Sequence, residues 1–125
     1  MKLEKLTTLL VVESIEACLP SWKQLGYAVE VKVPETGVLD FVILRGASGE
    51  LMLQTRKSLE EDLPDVAKLR PSYLLYADVK SLAAAKKALP DARVIVAQRT
   101  TFYGANEAWL GLAGGGVLGL AEHAG

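Results

Sequence analysis

The sequence predicts an α+β fold in which two successive β-α-β-β-β modules each form a cupped mixed sheet. Two observations carry this. The run Thr7-Thr8-Leu9-Leu10-Val11-Val12 leads into a helical stretch ending at Leu25-Gly26, and Ser72-Tyr73-Leu74-Leu75-Tyr76-Ala77 leads into another ending at Leu89-Pro90. The two starts lie 72 − 7 = 65 residues apart in a chain of 125. Such a unit cannot bury both faces of its own sheet, so its repetition points to two modules sharing an architecture.

Each element follows in order. Residues 6–12 form a β-rich run bounded by charge, the first strand. Ser14 is placed to cap a helix on which Ile15, Cys18, Leu19, Trp22 and Leu25 recur at helical spacing. Gly26 ends it, and Pro20 within it is expected to bend it. Residues 27–33 alternate apolar and charged side chains, as a half-exposed strand does. Turns at 34–37 and 47–49 separate strands at 39–44 and 51–55. Residues 58–68 are acidic and read as a short helix or an ordered connector with a solvated face. The pattern then repeats: a strand at 72–77, an alanine-rich helix at 81–89 and a strand at 93–98. One or two strands over 102–110, broken near Gly104, and a last strand at 117–122 complete it. The expected organisation is one domain over 1–125, with module 1 over about 1–56, an acidic connector over about 57–70 and module 2 over about 71–125.

Composition narrows the function. Half the residues are hydrophobic, and 14 basic residues balance 15 acidic ones to a net charge of −1. No basic stripe exists, so neither nucleic acid nor an anionic membrane is an expected partner. No apolar run approaches the length of a membrane span, and the charged start Lys2, Glu4, Lys5 lacks the apolar core of a signal peptide, so a cytoplasmic location is expected. Cys18 is the only cysteine, read as a small buried hydrophobe.

The order of these elements resembles the vicinal oxygen chelate superfamily, which includes glyoxalase I, bleomycin-resistance proteins and extradiol dioxygenases. The segments that carry the resemblance are Leu9-Leu10-Val11-Val12-Glu13-Ser14-Ile15-Glu16, the stretch 22–26, Gly49-Glu50-Leu51-Met52-Leu53-Gln54, Thr101-Phe102-Tyr103-Gly104-Ala105-Asn106-Glu107, and Gly115-Gly116-Val117-Leu118-Gly119-Leu120-Ala121-Glu122-His123. Metal-dependent members of that superfamily direct His, Gln or Glu inward from the first and last strands of each half, around an open coordination position. The resemblance puts those positions on Thr7, Met52, Ser72 and Gly119. None is a credible ligand, and the only histidine is His123, beside the C-terminus. No metal and no cofactor is therefore expected. A register slip would leave only Gln54 and Glu122 as oxygen ligands, fewer than a tight site needs. The triple glycine at 114–116 lacks the Lys-Ser/Thr and following helix of a phosphate loop.

Without a metal, the candidate ligand-binding residues are Thr7, Met52, Gln54, Ser72, Arg99, Tyr103, Glu107 and Trp109. Alternation places Met52 with Gln54, and Glu107 with Trp109, on shared strand faces. An apolar wall with one Arg, one Glu and a few aromatic edges suits a small, partly polar organic molecule. The expected function is metal-free binding of such a molecule, for sequestration or sensing, by a homodimer. One alternative is a lyase, isomerase or dioxygenase-type enzyme, with a reduced site at Gln54 and Glu122 or with Glu107 as base, paired with Glu122 if the two meet. The other is a structural module whose cup is filled.

Overall fold

The computed structural model describes residues 1–123. The chain divides into two compact units, one of residues 8–68 and one joining residues 1–7 to the chain from Leu69 onward. The boundary runs through the first strand, β1 (Lys5–Val12).

In the first unit, β1 leads to α1 (Ile15–Gln24), β2 (Ala28–Val33), β3 (Phe41–Gly46) and β4 (Gly49–Thr55), followed by the short helices α2 (Arg56–Asp62) and α3 (Pro64–Ala67). The strand order is β2-β3-β4-β1, with β1 parallel to β4 and the other neighbours antiparallel. Parallel strands need a crossover, and α1 begins it. Ser14 starts α1 as anticipated, its hydroxyl accepting from the Ala17 amide at 3.2 Å. The apolar stripe of α1 packs on Val42, Leu44 and Leu53 from one face of the sheet, with Ile15 fully buried. Trp22 and Cys18 flank this core, Trp22 meeting Tyr27 edge-to-face at 5.4 Å.

The second unit repeats the scheme with β5 (Leu74–Asp78), α4 (Leu82–Ala88), β6 (Arg93–Thr100), β7 (Ala105–Gly111) and β8 (Val117–His123). Its strand order is β5-β8-β7-β6, with β5 parallel to β8. Ser81 caps α4 through the Ala84 amide at 3.1 Å. The core between α4 and the sheet comprises Ala77, Val79, Leu82, Ala85, Ala108, Leu110, Leu118 and Leu120. Residues 102–104 form a turn rather than strand, so β7 starts only at Ala105.

The hydrogen-bond register corrects the expected alignment of the two halves. Leu9 lies opposite Met52, and Tyr76 lies opposite Gly119; both pairs are 43 residues apart (52 − 9 and 119 − 76). The two capping serines are 81 − 14 = 67 residues apart, so the structural repeat is 67 rather than 65. The sequence match had aligned hydroxyl-bearing residues ahead of two apolar pairs, whereas caps and pairing place the strands one pleat further along. A two-residue slip preserves the face and changes the position along it. Thr7 therefore corresponds to Leu74, and Tyr76, not Ser72, stands beside Gly119.

Candidate functional site: a buried carboxylate on the helix-free face

Alternation in each strand sends one set of side chains to the helix and the other to the opposite face. In the second unit, Ala108 and Leu110 of β7 point to α4, so Glu107 and Trp109 point away from it. Glu107 is completely buried, and four donors converge on it. Its Oε1 accepts from Arg99 Nε at 2.9 Å and from Trp109 Nε1 at 3.0 Å. Its Oε2 accepts from the Tyr103 hydroxyl at 2.7 Å and from the Tyr76 hydroxyl, and the two phenol oxygens lie 3.3 Å apart.

Each donor has a local origin. Tyr76 comes from β5, Arg99 from β6 directly opposite Glu107, and Trp109 from two residues along β7. Tyr103 sits in the turn between β6 and β7, which Gly104 permits with φ +84°. The Trp109 ring stacks at a tilt on Tyr76, 5.8 Å between centroids. Its benzo edge lies over Gly119, where an added Cβ would come 2.6 Å from Cη2. Burial pushes the Tyr103 phenol up to about 12, and donation to Glu107 adds to this. Burial, then donation to Glu107, likewise holds Tyr76 protonated well above its ordinary range. The face thus carries an Arg-paired carboxylate that keeps two phenols in their donating form.

Of the residues expected to form a site, the structure brings together Arg99, Tyr103, Glu107 and Trp109. Tyr76 was missed; it stood in the repeat motif, and the 43-residue pairing of each first strand with its last would have found it. Ser72 lies ahead of β5, its hydroxyl donating to the Gly114 carbonyl at 3.2 Å, apart from this cluster. Thr7 is buried as the last residue of the second unit's part of β1. Met52 and Gln54 belong to the first unit, buried on the face of β4 away from α1, with Gln54 Nε2 donating to Ser58 Oγ at 3.1 Å.

The paired-carboxylate reading is corrected. Glu122 lies opposite Asn106 in the ladder, one step from the Glu107–Ala121 pair, and so points to the other face. There its carboxylate accepts from the Leu82 amide at 2.7 Å, at the first turn of α4. His123 pairs with Asp78 at 3.0 Å.

No protein-family model matches the sequence, and no curated protein is similar enough to count as a match. Solved structures are similar. A glyoxalase/bleomycin resistance protein/dioxygenase superfamily member from Vibrio splendidus 12B01 superposes with a TM-score of 0.69 at 15% identity, covering 94% of this chain and 97% of that one. A hypothetical protein from Bacillus halodurans C-125 gives 0.71 at 20% identity, over 99% and 95%. A protein from Staphylococcus aureus gives 0.67 at 14% identity, over 99% and 100%. The chain has the glyoxalase/bleomycin-resistance type of α+β fold, that of the vicinal oxygen chelate proteins.

The divalent metal associated with that fold does not fit the residues present. The facing pairs are Leu9 with Met52 and Tyr76 with Gly119. They offer an aliphatic chain, a thioether, a phenol committed to Glu107 and a glycine overlain by indole. Among the described residues no three His, Cys, Asp or Glu side chains converge. Of the two fallback ligands, Gln54 is engaged with Ser58 and Glu122 with α4. Among the described residues, no helix is long and apolar enough to cross a membrane.

Proposed function

We propose that the chain is a metal-free small-molecule-binding protein of the glyoxalase/bleomycin-resistance type, working as a cytoplasmic homodimer by sequestration or sensing. The observation that carries this is the Glu107 cluster. A buried ion pair is seldom the most stabilising choice, since apolar residues of similar volume often serve as well or better. Placing Glu, Arg, two phenols and an indole on a helix-free sheet face, where apolar packing would suffice, favours a role in recognition. The relatives' fold supplies a ligand-binding scaffold but does not choose among activities.

Catalysis by Glu107 as a general base is less well supported. Both of its oxygens already accept two donors, so taking a proton from a substrate would require one donor to leave.

The test combines metal analysis with ligand screening. Untagged protein should carry far less than one equivalent of transition metal, even after dialysis against zinc, nickel, manganese and ferrous iron. A thermal-shift screen of small organic molecules should yield ligands whose effect disappears in Glu107→Gln. Divalent-metal-dependent turnover by the purified protein would overturn the reading. The dimer is checked by size-exclusion chromatography with light scattering, where a monomer at micromolar concentration would remove that part.

A further inference from the structure

Four donors surround Glu107, but they are not held alike. Tyr76, Arg99 and Trp109 stand on strands whose backbones are fixed by ladder hydrogen bonds. Tyr103 stands in a turn. The base of that turn is closed by the Thr101 amide to the Ala105 carbonyl at 2.8 Å and by the Ala105 amide to Thr101 Oγ1 at 3.0 Å. Beyond that base the neighbouring Phe102 is 89% exposed and packs edge-to-face on Tyr103 itself. Among the described residues, the Tyr103 hydroxyl is what ties the tip of this turn to the sheet, through Glu107 Oε2 and the Tyr76 hydroxyl. Tyr103 is also the one exposed member of the cluster, at 52%.

We propose that the Tyr103 side chain is an internal occupant of the ligand's place, and that the external ligand is a hydroxyl-bearing aromatic ring that displaces it. This rests on the binding reading above and gives it a ligand class. When the turn tip swings outward about its fixed base, Glu107 Oε2 is left as an acceptor beside the Tyr76 hydroxyl. That pair has the complementarity a phenolic O–H needs: the carboxylate takes its proton in a hydrogen bond, and the Tyr76 oxygen lies within reach of its oxygen. A ring without a hydroxyl would leave Glu107 Oε2 with one donor fewer, a penalty absent when a phenol enters. The turn is self-contained, so its displacement leaves the ladder of β6 and β7 in place.

The probe is p-cresol, with toluene as the ring lacking the hydroxyl. In the wild type, p-cresol must compete with Tyr103, so its apparent affinity is reduced by the fraction of time the turn is open. In Tyr103→Ala the competitor is gone, and p-cresol should bind at least tenfold more tightly than to the wild type by titration calorimetry, while toluene, which has no donor for Glu107, should bind that variant more weakly than p-cresol does. Adding Glu107→Gln to that variant should weaken p-cresol again. If Tyr103→Ala does not fold, Tyr103→Phe keeps the ring, releases its tie to Glu107, and should also bind p-cresol more tightly than the wild type. Equal affinity of p-cresol for wild type and variant, or equal binding of p-cresol and toluene, overturns the inference. Either result does so whatever the ligand screen on the wild type returns, so this reading and the binding reading fail separately.

Discussion

The benzo ring of Trp109 rests on the α-carbon of Gly119 across the β7–β8 ladder, where the two residues are directly paired. The contact exists only because position 119 has no side chain. A Cβ there would meet Cη2, Cζ3 and Cε3 at 2.6, 2.7 and 2.9 Å. The ring has little room to yield, since it is buried and its Nε1 is bonded to Glu107.

Gly119→Ala should therefore destabilise the protein by about 1–3 kcal/mol, the usual cost of overpacking. Urea unfolding followed by far-ultraviolet circular dichroism measures it. In a Trp109→Leu background the same substitution should cost much less, because the obstructing ring is absent. An unchanged cost in that background would show that the strain lies elsewhere.

The ion pair of Arg99 with Glu107 is asymmetric. Arg99 keeps 24% of its side-chain surface exposed, while Glu107 has none. Replacing Arg99 by Met leaves a buried anion with neutral donors only, and should cost about 3–5 kcal/mol. Replacing Glu107 by Gln leaves a guanidinium that water can reach. The new amide can accept from Arg99 and Trp109 while its NH2 donates to the two phenols, whose hydroxyls rotate to accept. That variant should lose only about 1–3 kcal/mol. Chemical denaturation of the two single variants decides it, and a larger loss for Glu107→Gln would reverse the argument.

Local signals in the sequence carried far into this structure, and the non-local ones did not. Ser14 was readable as a cap because a hydroxyl ahead of a helical stripe needs only the next three residues to act. The shared face of Glu107 and Trp109 followed from period-two alternation alone. Tyr76 was not readable as a site residue, because its place beside Gly119 depends on which strands pair and in what register. A match of similar residues 65 apart hid a pairing that hydrogen bonds fix at 67. Trp109, a candidate site residue from the face it shares with Glu107, is buried and bonded to that central carboxylate. The direction of Glu122 was hidden for the same reason as Tyr76, since its partner, the Leu82 amide, lies 40 residues away.

The two serine caps offer a direct check on the repeat. Ser14 and Ser81 stand at equivalent positions, each with extended backbone and each accepting from the amide three residues on. Ser14→Ala and Ser81→Ala should each cost about 1 kcal/mol. Ser81→Gly should recover most of the loss, because glycine is a tolerable cap. The Leu82 amide of α4 is also satisfied by Glu122, so Glu122→Gln should cost less than Ser81→Ala. Thermal melts of the four variants make the comparison.

The two phenols on Glu107 set an alkaline limit to stability. Tyr103 keeps its proton to about pH 12 in the folded protein, against about 10 for a tyrosine in an unfolded chain. A folded-state value above the unfolded one means that the native state binds the proton more tightly. The corresponding stabilisation is complete below pH about 10 and is lost as the pH climbs from there towards 12. Tyr76 is shifted in the same direction and adds to the same limb. The urea midpoint of the wild type should therefore fall steeply above pH about 10. In Tyr103→Phe it should start lower, since a hydrogen bond to the carboxylate is missing, and then fall less steeply over the same interval. Parallel decline of the two proteins would mean that folding does not raise the Tyr103 phenol above its ordinary range.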